Sequence, residues 1–334
     1  MPASVKDVAA LAGVSSSTVS NYLNHPHVLG AASREKVRAA IEELGFVPNE
    51  SARQLRAGTS RTIALILLDA WLPYFSELSR GVEDATRPEG WSLFFSNSNR
   101  DAEQERRNID MFEAHRVQGI VIYPRDDVID RLEQLADRGI RSVVLGPVRD
   151  SPTVASVLFD DREGGRLAGA HLRGIGRRRV LFLGSSLVSQ SNDRLAGLRD
   201  AVAGSSAVVS VHEVDDLTIE DGLRAADAIV ALPAAERPDA LFAANDMVAV
   251  GALTGLIRHG VRVPEDIAIV GFDDVDQAHQ AVVPLTTVRQ PGYEIGRAAG
   301  SALLRQLAEP GSAPVVTPPF APELVVRAST TGRG

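Results

Sequence analysis

No cysteine occurs among the 334 residues, which excludes disulfides, thiolate metal centres and cysteine nucleophiles. No apolar run approaches the roughly 20 residues that a membrane-crossing helix needs. The opening MPASVKDVAA has no long apolar core of a secretory leader, so a cytoplasmic protein is expected. Catalytic signatures are missing as well: there is no G-x-G-x-x-G, Walker A, H-E-x-x-H or G-x-S-x-G pattern. The glycines of RGIGRRR precede a strand-like run instead of following one, so they form no dinucleotide loop. The seven histidines are scattered, and His25 and His27 have no third ligand nearby. The expectation is a protein with no metal, no cofactor and no enzymatic activity.

Positive charge is also in short supply, but unevenly. Lys and Arg number 35 against 43 Asp and Glu, a net charge of −8. Residues 1–61 carry seven basic side chains (Lys6, Arg34, Lys36, Arg38, Arg53, Arg56, Arg61) against five acidic ones (Asp7, Glu35, Glu42, Glu43, Glu50), a net of +2. The rest therefore carries −10. A weakly positive head on a negative body suits local phosphate contact without indiscriminate coating of DNA.

What is present begins with that head. In SVKDVAALAGVSSSTVSNYLN, Ser4 can cap a first helix with Asp7 at the third position of a capping box. Val5, Val8, Ala9 and Leu11 supply its apolar side. Gly13 allows a sharp turn, and Val14 can plug the angle between helices. Ser15 caps a second helix running to about Leu23, with Val19, Tyr22 and Leu23 turned inward. This pattern predicts a helix-turn-helix. Ser16, Ser17 and Asn21 would then face base edges, with Thr18, Ser20 and the helix N-terminus on phosphates. A three-helix protein-binding module is the plainer alternative. A third helix is predicted from Ser33, with Val37, Ala40, Ile41 and Leu44 as its apolar stripe and Gly45 as its end.

PNESARQLRAG follows. Asn49 can cap two helical turns that stop at Gly58, too few to be stable alone in water. Its one large apolar residue, Leu55, suits a wedge between base pairs in the minor groove; a frayed linker is the alternative.

From Arg61 onward, strand-like runs alternate with amphipathic helices. Strands are predicted at 62–68, 92–96, 119–124, 142–146, 156–160, 178–184, 208–214, 240–245 and 267–274. Helices fit at Phe75–Thr86, Ala102–Arg116, Gly164–Arg173, Asn192–Val202, Ile219–Leu232 and Asp246–His259. Runs so rich in Val, Ile, Leu and Phe are expected to be covered on both faces, in largely parallel sheets. A break near 160 divides them into two doubly wound α/β domains, since one core rarely grows past about 250–300 residues. The expected division is 1–48 for the head and 49–59 for the hinge helix. The body would comprise 60–160 completed by about 289–318, and 161–288 completed by about 319–334.

Ligands of open α/β sheets bind at the carboxyl ends of strands. Tyr74, Phe75, Asn97, Tyr123, Phe159, Arg194, Asn245 and Asp273 stand at or just beyond such ends. Aromatic faces with Asn, Asp and Arg suit a small polyhydroxylated or heterocyclic ligand between two domains. The alternative for each Asp or Asn, Asp246 and Asp274 above all, is that it only caps the next helix.

Taken together, VKDVAALAGVSSSTVSNYLN, REKVRAAIEELGFVPNESARQLRAG, SNDRLAG, FAANDMVAVGAL, VRVPEDIAIVGFDD and PLTTVRQPGYEIGRAA resemble the LacI/GalR family of bacterial transcriptional regulators over essentially the whole chain. The resemblance implies a periplasmic-binding-protein-like body and a homodimer or larger assembly on a pseudopalindromic double-stranded DNA operator, usually as a repressor. It also implies a small-molecule effector, most often a sugar. It would place Ser16, Ser17 and Asn21 in the major groove, Leu55 as the intercalating hinge residue, and Ala52, Arg53 and Arg56 at the hinge–DNA contact. Arg194, Asn245 and Asp273 would clamp the effector, with Tyr74, Phe75 and Phe159 lining the cleft. Two positions depart from the pattern. Glu50 opens the hinge helix where members often carry a basic or neutral residue, and Leu217 stands where many carry a stacking aromatic, which favours a sugar over a purine. A solute-binding protein, or a sugar-modifying α/β enzyme with an accessory head, are the rival readings.

Overall fold

The structure is a computed structural model, and it describes residues 3–46 and 61–332. The expected hinge helix and its residues Glu50, Ala52, Arg53, Leu55 and Arg56 lie outside the described residues. The chain divides into two units, 1–60 and 61–334.

In the first unit, α1 (Val5–Ala12) starts at the Ser4 capping box, closed by Asp7, and ends at Gly13 with φ 65°. Only glycine takes that left-handed conformation without strain. α2 (Ser16–Asn24) is capped by Ser15, whose Oγ accepts the Thr18 N–H at 3.1 Å. α3 (Ala31–Leu44) begins two residues before the predicted Ser33, because the extended Gly30 backbone already sets the helix entry without a side-chain cap. Val8, Ala9, Ala12, Val19, Val37, Ala40 and Phe46 form the core, with Val14, Tyr22, Leu23, Ile41 and Leu44 packed at its edge. Leu11 is a correction: it lies on the outer face of α1 and is 45% exposed.

The second unit contains two sheets. The first has strand order β2-β1-β3-β4-β5, from β1 (Thr62–Leu67), β2 (Ser92–Asn97), β3 (Gly119–Ile122), β4 (Arg141–Leu145) and β5 (Val154–Val157). All its pairings are parallel. Between the strands run α4 (Pro73–Thr86), α5 (Ala102–Ala114) and α6 (Ile129–Asp137). The second sheet follows the order β11-β10-β9-β8-β6-β7. Its strands are β6 (Arg179–Gly184), β7 (Val208–Glu213), β8 (Ala240–Ala243), β9 (Ala268–Asp273), β10 (Thr286–Arg289) and β11 (Glu323–Val325). Only the β10–β11 pair is antiparallel. Its helices are α7 (Asp161–Gly174), α8 (Ser189–Val202), α9 (Ile219–Ala231), α10 (Asp246–Arg258) and α11 (Asp276–Gln280); α12 (Gly292–Ala308) and α13 (Ala328–Thr331) follow. α12 returns to pack on α4 and against β3, β4 and β5.

The central strands β1, β3 and β8 match the expectation of burial on both faces, with every residue buried, and so does β5, an edge strand that the returning chain covers. The edge strands β2 and β7 do not, and Phe94 and Phe95 are each 48% exposed. The strand expected at 156–160 is the other correction. β5 ends at Val157 because Asp160 turns to cap α7, its Oδ1 accepting the Glu163 N–H at 2.9 Å. The stretch between bridges instead to the returning chain, Ser156 to Val316 and Phe159 to Phe320.

Candidate functional site

On the head, Ser16, Ser17 and Asn21 are exposed on α2, while Thr18 and Ser20 are partly buried. The Ser15 hydroxyl ties the start of this helix together, lying 2.7 Å from Ser17 Oγ and 2.8 Å from Thr18 Oγ1. Arg38, one of the head's cations, pairs with Glu35 and Glu42 on the exposed face of α3.

In the body, the strand ends converge on a cleft of about 450 Å³, counted to its open mouth. Its lining includes Tyr74, Phe75, Tyr123, Arg194, Asn245 and Asp273, six of the eight residues expected at strand ends to meet a ligand. Phe159 is not among them; it stacks edge-to-face on Phe272 and lines an adjoining chamber that shares Tyr74, Tyr123, Gln190 and Gln290 with the cleft. Asn97 does not line either space. Its Nδ2 donates to Asn99 Oδ1 at 2.6 Å, and its carbonyl accepts from Asn108.

Arg194 is the centre of the cleft. Its Nε donates to Asp161 Oδ1 at 2.8 Å, its Nη1 to the Ala244 carbonyl, and its Nη2 to Gln290 Oε1 at 3.1 Å. Asp273 Oδ1 lies 3.9 Å away, and the guanidinium stacks on Phe272 at 3.6 Å. Gln290 Nε2 in turn donates to the Tyr74 hydroxyl at 2.8 Å, which joins a residue of the second sheet's end to α4 on the first. Backbone contact sets Arg194 in place. A Cβ at Gly165 would stand 2.0 Å from the Arg194 carbonyl oxygen, and one at Gly197 would stand 1.8 Å from the Arg162 carbonyl oxygen. Only glycines let α7 and α8 approach so closely.

Burial pushes the Asp161 carboxyl up, opposed by Arg194, and pushes Asp273 well above the usual range. Burial alone would lower the Arg194 guanidinium, but the attraction of Asp161 and Asp273 outweighs it and keeps the cation charged. Burial raises both Tyr74 and Tyr123, so their hydroxyls stay protonated donors.

Asn245 caps α10 through the Val248 N–H at 2.9 Å, and its Nδ2 donates to the Leu217 carbonyl at 3.0 Å. Leu217 itself is buried on the cleft wall, with a left-handed backbone of φ 56°. Asp274 binds Arg289 and Arg327 instead of capping a helix. Asp246 opens α10 and accepts from Thr287 Oγ1 at 2.7 Å and the Val275 N–H at 3.0 Å. Among the described residues no cluster of His, Asp and Glu could hold a metal ion, and no helix is long and apolar enough to cross a membrane.

Residues 4–49 match the family described as bacterial regulatory proteins, lacI family, and residues 170–330 match the periplasmic binding protein-like domain. The HTH-type transcriptional repressor PurR of Aliivibrio fischeri is 31% identical over 337 residues, which cover 99% of each chain. The chain belongs to the LacI family of bacterial transcriptional regulators. It is a DNA-binding transcriptional regulator modulated by a small-molecule effector, not an enzyme. Two solved members of similar fold are the lac repressor dimer bound to operator and the anti-inducer ONPF, and a CelR–cellobiose complex. The lac repressor has a TM-score of 0.83 and 27% identity, with 99% of each chain covered. The CelR complex has a TM-score of 0.71 and 30% identity, with 98% and 99% covered.

Within this LacI-family body, three polar cleft residues escape a reading of the sequence: Arg100, Gln190 and Gln290. Gln290 follows β10, a strand too short and Thr-rich to stand out as apolar, so its place at a strand's carboxyl end is hidden. Gln190 lies in the first turn of α8, ahead of the expected start at Asn192.

Proposed function

We propose that this regulator binds a pseudopalindromic operator as a homodimer or larger assembly, acts as a repressor, and takes a sugar or sugar derivative as its effector. The observation that carries the effector reading is the buried set Arg194, Asp161, Asp273, Gln290 and Tyr74 at the meeting of two sheets' carboxyl ends. Such convergent donors and acceptors beside aromatic walls suit a ring bearing hydroxyl groups. The relative solved with cellobiose and the aliphatic Leu217 on the wall both favour a sugar over a flat heterocycle. The relative solved as a dimer on operator supports the assembly.

In this reading Ser16, Ser17 and Asn21 meet base edges, and Thr18 and Ser20 help hold the backbone. Arg53, Leu55 and Arg56, with Ala52, form the hinge contact. Arg194, Asn245 and Asp273 orient the ligand; Tyr74 and Phe75 form its walls, and Phe159 bounds the second chamber. The body divides into 60–160 with 289–318, and 161–288 with 319–334, a division supported by α12 packing on the first sheet and β11 pairing in the second. A ligand that prefers one arrangement of the two halves shifts their equilibrium and, through it, DNA affinity.

The test is a thermal-shift screen of sugars on the full chain, because a ligand that binds only the folded state raises the melting temperature by mass action. A stabilising sugar recovered chemically unchanged supports the reading. Stabilisation by nucleobases alone overturns it.

A further inference from the structure

Resting on the sugar-effector reading, the charge balance of the cleft narrows the chemical class of that sugar. Arg194 and Arg100 are the only cations that line the cleft among the described residues. Both are already engaged. Arg194, 7% exposed, has Asp161 at 2.8 Å and Asp273 at 3.9 Å. Arg100 Nη2 meets Asp69 Oδ2 at 3.0 Å, and its Nη1 lies 3.8 Å from Asp216. The Asp161–Arg194 and Asp69–Arg100 pairs cancel, and neither Asp273 nor Asp216 supplies positive charge. Nothing else on the wall supplies positive charge: Tyr74, Tyr123, Gln190, Asn245 and Gln290 are neutral.

An anionic ligand could gain an unpaired cation at Arg194 only by displacing Asp161, whose carboxylate has no other hydrogen-bonding cation among the described residues. That exchange would leave a buried carboxylate without a partner, which is strongly unfavourable. A hydroxyl group asks for no such exchange. It can accept from the hydroxyls of Tyr74 and Tyr123, which line the cleft. It can also donate to carboxyl and amide oxygens.

We propose that the cleft rejects effectors that carry a phosphate or carboxylate, so that its ligand is a neutral sugar or an amino sugar, with Asp69, Asp161 and Asp216 as the residues that set this selectivity. The full chain is titrated by thermal shift and calorimetry with matched sets: glucose, galactose, ribose and cellobiose, their phosphates, the corresponding sugar acids, and glucosamine and galactosamine. The expected result is that each sugar that binds does so at least about tenfold more tightly than its phosphate or acid, as one uncompensated buried charge demands. The double variant Asp69→Asn/Asp216→Asn frees Arg100, while the amide oxygen introduced at position 69 can still accept the Trp71 N–H that Asp69 Oδ1 holds. It should narrow the gap for the sugar phosphate by about tenfold. A phosphate or acid that binds the wild type as tightly as its neutral counterpart overturns the proposal and leaves the sugar reading standing. A gap unchanged in a folded double variant overturns the role of the Arg100 pairs. Silence from every sugar, charged or not, overturns the sugar reading and this inference with it.

Discussion

Asp161 opens α7 and Arg194 sits on α8, and the 2.8 Å ion pair between them is buried in the wall of the cleft. Each compensates the other's loss of water. Replacing Arg194 with Met therefore strands Asp161 and should reduce stability by about 3–5 kcal/mol. Asp161→Asn, which keeps an acceptor for the guanidinium, should lose less. Urea denaturation of the full chain compares the two, and equal midpoints for Arg194→Met and wild type would refute the pairing.

The backbone contact beneath that pair is testable by itself. Gly165→Ala places a methyl 2.0 Å from the Arg194 carbonyl oxygen, and backbone cannot yield as a side-chain tip can. A loss of about 1–3 kcal/mol is expected, with weaker effector binding because α8 carries Arg194. Gly174→Ala, with nothing within 4 Å at the exposed end of the same helix, should be neutral or stabilising by up to about 1 kcal/mol. Thermal denaturation of both variants separates crowding from helix propensity.

Asp246 gives stability a pH dependence. Burial pushes its carboxyl up to about 7, against an ordinary value of 3.8. Between those values the folded state holds a proton that the unfolded state has released. Stability therefore falls as pH rises from about 4 to 7, then levels off, a change on the order of a few kcal/mol. Asn in its place can donate to Thr287 Oγ1 and accept from the Val275 N–H. Asp246→Asn should flatten this part of the profile, as measured by denaturant midpoints across pH, and a slope identical to wild type would contradict the assignment.

On the head, stability and recognition should separate. Ser15→Ala removes the cap that accepts the Thr18 N–H and should cost about 1 kcal/mol of head stability. Asn21→Ala, on the exposed face of α2, should leave thermal stability unchanged and weaken operator binding by about 1–3 kcal/mol. Circular dichroism melts and operator anisotropy read the two effects independently.

Local signals carry much of this architecture. The Ser4–Asp7 capping box, the Gly13 turn and the Ser15 cap each act over a few residues, and the structure has all three. Long apolar runs such as Thr62–Leu67 announce central strands for the same reason. Leu11 misleads because an apolar residue on a short helix satisfies the helical period without facing the core. Gln290 and Arg100 are invisible in the sequence because their roles depend on partners far along the chain, Arg194 and Tyr74 for one, Asp69 and Asp216 for the other. Asn97 looks correct by position, but its amide turns to Asn99. Strand ends can be read from sequence, whereas the direction of each side chain there is set by tertiary packing.

The coupling between cleft and DNA is tested most directly by operator affinity, measured by fluorescence anisotropy on the full chain while a stabilising sugar is titrated in. In the wild type the operator Kd should change by about 5–150-fold at saturation, and in Arg194→Met it should stay constant while DNA is still bound. A wild-type operator Kd that does not move when the sugar is demonstrably bound would contradict the coupling.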